Sequence, residues 1–211
     1  MTPASHKSAF TFLELMVTIS LLVLILTIST VSYRTVSKRN ELILVANQLA
    51  DDIRAAENFA ASAKGLPNKP VNNIWLIKLE PVSGSNTVKS YQIGATNNSN
   101  QAQPDSSLDF SGLNSNFVAY QTVQLPREIE IDAYGYKDGS GSLIPLFSDV
   151  MTDPVGLIGS FWPPRPKVYI IDNSSPTNAT YDNLYITLKD TANNSTQTVI
   201  VNSFGLVDVE R

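Results

Sequence analysis

The most marked feature of the sequence is a long apolar run near its start. From Phe10 to Val31 there are 22 residues and a single charged side chain, Glu14. A helix of this length measures about 33 Å, enough to cross the roughly 30 Å hydrocarbon core of a bilayer. We therefore predict a transmembrane helix over residues 10–31. A carboxylate in such a span costs about 2.5 to 3.5 kcal/mol at the bilayer centre, so Glu14 needs a partner or a function.

The helical pattern continues beyond the apolar run as far as the Gly65-Leu66-Pro67 stretch. Apolar residues recur there at alternating steps of four and three, and charged residues flank them. The apolar positions are Leu42, Ala46, Leu49, Ile53, Ala56, Ala60 and Ala63, and the flanking ones are Glu41, Asp51, Asp52, Arg54 and Glu57. This spacing predicts an amphipathic helix over residues 32–64 with one stripe packed on a core.

After Pro70 the apolar period changes from 3.6 to two, with turn residues between the runs, which predicts strands. The candidates are Ile74–Leu79, Ser90–Ile93, Val118–Leu125, Glu128–Ala133, Lys167–Ile171, Leu184–Lys189, Thr196–Val201 and Leu206–Val209. In the clearest one, alternation places Ile129, Ile131 and Ala133 on a buried face and three acids in water. The polar stretches at 95–116, 138–142 and 173–180 are predicted loops. We expect an α+β fold in which the long helix packs on an antiparallel sheet domain over residues 65–211.

The residues before the apolar run form a distinctive motif. A short polar segment, residues 1–9, carries His6 and Lys7 and ends in the small residue Ala9. Phe10, Thr11 and Glu14 then open the apolar helix. This arrangement resembles the N-terminus of type IV prepilins and type II secretion pseudopilins. The resemblance implies that residues 1–9 are a leader, that prepilin peptidase cuts between Ala9 and Phe10, and that the new Phe10 amine is methylated. Glu14 then becomes the fifth residue of the mature chain and serves filament assembly together with Phe10.

Two other interpretations of the same residues exist. A secretory signal peptide has a shorter apolar core followed by a small-residue cleavage site, whereas this run leads directly into Tyr33 and Arg34. The second interpretation concerns only the first turn of the helix. The Thr11-Phe12-Leu13-Glu14 spacing fits a capping box, in which the two polar side chains satisfy the first amides of the helix. Capping and assembly are compatible, since Glu14 can serve the cap in an isolated subunit and a neighbour's amine in a polymer.

Landmarks in the sheet domain resemble the H-type minor pseudopilins and T-type minor pilins. They are Leu125–Ile129, Phe161–Pro164, Ile186–Leu188 and Val199–Val207. The chain departs from that group at Pro164, where glycine is usual. It also has the acids Asp208 and Glu210 after Gly205, where DNA-binding T-type members carry arginines.

Composition excludes several classes of function. The chain has 211 residues and a net charge of −4; loss of the leader removes Lys7 and leaves 14 basic against 19 acidic side chains, a net charge of −5. Such a charge argues against a general nucleic-acid surface. The chain has no cysteine, and its one histidine, His6, lies in the predicted leader. We therefore predict no catalytic residues, no metal site and no cofactor.

These features together predict a non-enzymatic subunit, in a minor role, of a type IV pilus or type II secretion pseudopilus. The resemblance implies three kinds of partner: prepilin peptidase, other pilin or pseudopilin subunits with their assembly platform, and the membrane. It also implies a single-pass protein of the inner membrane with its C-terminal domain periplasmic or extracellular. The basic residues Arg34, Lys38 and Arg39 after the span would favour the opposite orientation by the positive-inside rule. We give the leader motif precedence over them in predicting the orientation. The alternatives are a DNA-uptake minor pilin and a membrane-tethered adhesin that does not polymerise.

Overall fold

The structure is a computed structural model. It describes residues 11–62, 64–65, 74–81, 87–96, 117–137, 142–145, 156–161, 168–171, 183–202 and 205–210. The chain divides into two compact units, Met1–Asn40 and Glu41–Arg211. The predicted α+β class is confirmed, with a long N-terminal helix and an antiparallel sheet on which the C-terminal part of that helix packs.

The helix α1 extends over Phe12–Ala61, a length of 50 residues. Its end lies three residues before the predicted Lys64, because the chain leaves the helix through a wider closing turn. In this turn the Ser62 amide donates to Asn58 O and the Lys64 amide donates to Phe59 O, each at 2.9 Å. These bonds satisfy carbonyls that the helix end would otherwise leave without a donor.

In the described part of the chain, ten strands follow the helix and form one antiparallel sheet. They are β1 Ile74–Pro81, β2 Val88–Thr96, β3 Phe117–Gln124, β4 Ile129–Lys137, β5 Leu143–Pro145, β6 Gly156–Phe161, β7 Val168–Ile171, β8 Asn183–Asp190, β9 Ser195–Asn202 and β10 Val207–Val209. The main path through the sheet is β10-β9-β8-β4-β2-β1-β6-β7, with β3 paired to β2 and β5 paired to β4. The eight predicted strands are all present.

Two of these strands were not predicted from the sequence, for different reasons. Strand β5 has three residues, too few to show a period. Strand β6 contains two glycines and has no apolar alternation. The predicted loop at 95–116 begins too early, because Ala95 and Thr96 belong to β2. The rest of that loop, residues 138–141 and residues 173–180 lie outside the described residues.

The alternation predicted in β4 holds only as far as Ile131. Ile129 and Ile131 are buried, but Ala133 is half-buried, so its predicted burial is wrong. The register of β4 against β8 shifts between Ile131 and Ala133. Asp132 is therefore the extra residue of a β-bulge. Beyond the bulge, the next fully buried side chain of the strand is that of Tyr134.

The acids of β4 are also less hydrated than predicted. The Glu130 side chain is 12% exposed and pairs with Lys89 at 2.8 Å. Asp132 lies 3.6 Å from Lys189 on the neighbouring strand. The outward face of the sheet thus carries cross-strand ion pairs, while Glu128 stays exposed.

The core lies between the second part of α1 and the sheet. The predicted stripe is confirmed, since Leu42, Ala46, Leu49, Ile53, Ala56 and Ala60 are all buried; Ala63 lies outside the described residues. Val45 and Ala50, which the stripe left out, widen it. Side chains from β1, β2, β4, β8, β9 and β10 complete one hydrophobic cluster. The unit Glu41–Arg211 therefore contains a complete core of its own.

Candidate functional site

The site indicated by the sequence lies at the start of α1. Ala9 and Phe10, the predicted cleavage and methylation residues, lie outside the described residues. Thr11 directly precedes the first helical residue, Phe12, and occupies the N-cap position. Glu14 follows three positions later in the first turn. The structure thus describes the predicted helix cap Thr11 and the assembly residue Glu14, but neither the processing junction nor Phe10, the other predicted assembly residue.

Thr11 and Glu14 form the hydrogen bonds of a capping box. The Glu14 amide donates to Thr11 Oγ1 at 3.3 Å, and the Thr11 amide donates to Glu14 Oε2 at 3.5 Å. The Thr11 hydroxyl also donates to the same carboxylate oxygen at 3.4 Å. Two of the amides that a helix start leaves without an acceptor are satisfied in this way.

The capping box leaves part of the carboxylate available. Both bonds to the carboxylate of Glu14 use Oε2. Within the described part of the chain, no hydrogen bond reaches Oε1. The side chain is exposed. Glu14 can therefore keep its local cap and still accept a proton donor or a cation from another molecule on its second oxygen.

The turn that holds Glu14 opens an unbroken apolar segment. Phe12–Ser29 is the one stretch of described helix that is long and apolar enough to cross a membrane, and none of it is buried within the protein. Three of its hydroxyl groups are satisfied inside the helix. Thr18 donates to Leu15 O, Ser20 to Met16 O and Thr27 to Val23 O, at 2.6 to 2.9 Å. These three side chains therefore present no unpaired donor to lipid.

Polar side chains beside the buried stripe of α1 tie the helix to the sheet. The Tyr91 hydroxyl on β2 donates to Asp52 Oδ2 at 2.5 Å. Arg54 donates to Asp51 and to the carbonyl of Val207 on β10, both at 2.7 Å. The sequence predicts Asp52 and Arg54 as solvated flanking residues, and their partners, 39 and 153 residues away, could not be found from local spacing.

Burial changes the acidity of these groups. Desolvation raises the pKa of Asp52; the Tyr91 hydrogen bond opposes this rise and the nearby Asp51 charge adds to it. Burial also raises the pKa of Tyr91, and the Asp52 carboxylate adds to that rise. Glu57, one turn further along the helix, has its pKa raised by burial. The contact between helix and sheet thus contains two carboxyl groups, those of Asp52 and Glu57, whose raised pKa values favour the protonated form.

Gly205 lies against the Glu57 carboxylate at the turn before β10. Its φ is +83°, a left-handed conformation that favours glycine, and an added Cβ would overlap the carboxylate of Glu57. The Leu206 amide donates to Asn202 Oδ1 at 2.8 Å and closes the turn. Arg54 and Glu57 together place the last strand beside the helix.

An aromatic cluster fixes the end of α1 on the sheet. The rings of Phe59, Trp75 and Tyr120 lie 4.8 to 5.6 Å apart. The Lys64 ammonium lies 3.7 Å from the centre of the Phe59 ring, and the Trp75 indole donates to the Lys64 carbonyl at 3.0 Å. These contacts stabilise the closing turn of the helix.

Among the described residues there is no group of three or more histidine, cysteine, aspartate or glutamate side chains placed to hold a metal ion. Several lysines are engaged within the sheet domain. Lys64, Lys78 and Lys137 lie over aromatic rings, and Lys89 and Lys189 face carboxylates. Among the described residues beside β10, the exposed charges are Asp208 and Glu210. The described surface therefore does not concentrate free positive charge.

Comparison of the chain with family models, curated proteins and solved structures finds no match. The residues and their geometry are therefore the basis for inferring a function. The resemblance to prepilins remains a prediction from the N-terminal motif.

Proposed function

We propose that this protein is a non-enzymatic subunit of a type IV pilus or a type II secretion pseudopilus, in a minor role. The observation that carries the proposal is the position of Glu14. It is the single charge of an apolar helix, it lies in the first turn, and it follows the Ala9-Phe10 junction by the spacing typical of prepilins.

The helix geometry supports storage in the membrane before assembly. Phe12–Ser29 is apolar on all sides, and the hydroxyls of Thr18, Ser20 and Thr27 bond to the backbone of the same helix. The capping box gives Glu14 a local partner while the subunit is alone. In a polymer, the free Oε1 is the acceptor we assign to the methylated Phe10 amine of a neighbouring subunit. Each charge then meets its opposite in an apolar filament core, where an unpaired charge costs several kcal/mol.

The second unit supports a structural role outside the membrane. Glu41–Arg211 holds one hydrophobic core between the helix and the sheet, and its polar contacts serve to join those two elements. We assign it to the periplasmic or extracellular side of the inner membrane. Its contacts with other subunits determine its place in the filament.

A membrane-tethered adhesin that does not polymerise is the second candidate. The same apolar helix would anchor it, and the sheet domain would bind its target. The capping box favours this candidate if local helix capping is the whole role of Glu14. A DNA-uptake subunit ranks lower, because Asp208 and Glu210 would repel phosphate beside the last strand.

The processing of the N-terminus tests the proposal. Intact-mass and peptide mass spectrometry of the protein purified from membranes should show loss of residues 1–9 and one methyl group on the Phe10 amine. In cells without prepilin peptidase, the Met1 terminus should be retained. An Ala9→Gly variant, which restores the usual small residue of the family, should be cut at least as fast as the wild type. A terminus after Val31, or an intact Met1 terminus in cells with active peptidase, would overturn the proposal.

A further inference from the structure

Strand β3 forms an open edge of the sheet. It pairs with β2 along its length, and no other strand of the described chain pairs with it. Six of its eight side chains are exposed, including Val118 at 37% and Tyr120 at 47%. The outer backbone N–H and C=O groups of such an edge are available to another strand.

Strand β10, at one end of the main path through the sheet, is a protected edge. It has three residues and is followed by Glu210, and its exposed central residue is Asp208. The Val207 carbonyl already accepts a hydrogen bond from Arg54. Short length and charge are devices by which proteins prevent pairing at an edge. Strand β3 has eight residues with no charged side chain and no proline. It therefore has neither the short length nor the charge that would protect it.

We propose that two copies of this chain associate by antiparallel pairing of their β3 strands. The first argument is charge. The chain carries a net charge of −4, so two copies repel each other overall. Two β3 strands bring no charged side chain of their own into the ladder, where like charges directly opposite each other are destabilising. An uncharged strand pairs best with another uncharged strand, and the β3 strand of a second copy is such a partner.

The second argument is register. Val118 pairs with Ala95 and Val123 pairs with Tyr91, so both valines lie on the face of those buried side chains. In a regular strand, residues five apart lie on opposite faces. Here they share one, because the register shift opposite Ile93 and Gly94 makes Tyr120 the extra residue of a bulge.

This bulge makes β3 complementary to itself. A two-fold axis between Tyr120 and Gln121 brings Val118 opposite Val123 of the second copy, on the same face. It also brings Phe117 opposite Gln124 on the other face. The same patch on both subunits forms the contact, which is the arrangement of a two-fold symmetric dimer.

Charge reversal at the axis tests the dimer. The fragment Glu41–Arg211 is used because it contains a complete core. In sedimentation velocity it should show a concentration-dependent species of twice the monomer mass. Gln121→Lys and Gln121→Glu each place like charges side by side at the axis, and each should weaken the dimer by about fivefold or more. An equal mixture of the two variants should restore a dimer that contains one copy of each.

The matched control is Gln48→Lys, which adds the same charge at an exposed position of α1. It should leave the dimer unchanged, and circular dichroism should show that all variants fold. A fragment that stays monomeric at several hundred micromolar would overturn the proposal. So would a dimer that Gln121→Lys does not weaken, or variants that fail to restore each other. The fragment lacks the membrane span, so these outcomes are independent of N-terminal processing and of the proposed function.

Discussion

The two parts of the long helix face different surroundings, although they belong to one continuous element. None of Phe12–Ser29 is buried within the protein, whereas a stripe from Leu42 to Ala60 is almost wholly buried. The first part is apolar on every side and the second on one side. The width of the apolar surface thus separates the two parts: a one-sided stripe packs on the sheet, and an all-round apolar surface is suited to lipid.

The buried part also differs in the size of its side chains. Four alanines, Ala46, Ala50, Ala56 and Ala60, are fully buried in it. Small side chains let the helix backbone lie close to the sheet, and the larger Leu42, Leu49 and Ile53 fill the spaces between strands. The unburied part is rich in leucine, isoleucine and valine, which are exposed.

Equivalent truncations in the two parts should have very different effects on the sheet domain. Leu49→Ala removes a fully buried side chain and should lower the free energy of unfolding by about 2 to 5 kcal/mol. Leu22→Ala, at a 58% exposed position in the span, should leave the free energy of unfolding unchanged. Urea unfolding of the full chain in detergent, followed by tryptophan fluorescence, measures both. Equal losses would contradict the assignment of the domain core to the second part of the helix.

The half-buried carboxyl groups of the second part should make stability depend on pH. The fold raises the pKa of Asp52 above its ordinary 3.8 and also raises that of Glu57. The native state then binds more protons than the unfolded state between the ordinary and the raised values. Their contribution is fully present below the unfolded pKa and is lost as the pH rises through the folded one.

The double variant Asp52→Asn and Glu57→Gln should therefore flatten the pH dependence of unfolding in this window. Its amides keep the shape of both groups, and the amide oxygen introduced at position 52 would still accept the Tyr91 hydrogen bond. Urea midpoints of Glu41–Arg211 between pH 4 and 7 measure the effect. Asp208→Asn, at an exposed position of β10, is the control and should retain the wild-type slope. A double variant with that same slope would contradict the role assigned to burial.

Features that depend on local periodicity were predictable from the sequence. The long helix, its buried stripe and eight strands follow from apolar spacing, and the bonds between Thr11 and Glu14 follow from a three-residue interval. The bulge at Asp132 was not predictable, because the strand pattern around it continues the alternation and the shift depends on pairing with β8.

Contacts between distant residues could not be predicted for the same reason. Arg54 reaches Val207 and Asp52 reaches Tyr91 only after the sheet has brought β10 and β2 beside the helix. Before folding, these side chains look like the solvated flank of an amphipathic helix. Gly205 is similar, since its close approach to Glu57 is a property of the tertiary structure.

The most direct test of the assembly function is the incorporation of a Glu14→Leu variant into filaments. Removal of a charge from the span should leave membrane insertion as good as before or better. Thr11→Val is the matched variant, because it removes the hydroxyl of the capping box but keeps the Glu14 carboxylate.

Both variants should be produced, inserted and cut like the wild type, and the subunit content of sheared filaments should be compared in the same cells. The account predicts that Glu14→Leu is largely missing from the filaments while Thr11→Val is incorporated. Normal incorporation of Glu14→Leu, or equal loss of both variants, would show that Glu14 serves only as a helix cap and would contradict its role in assembly.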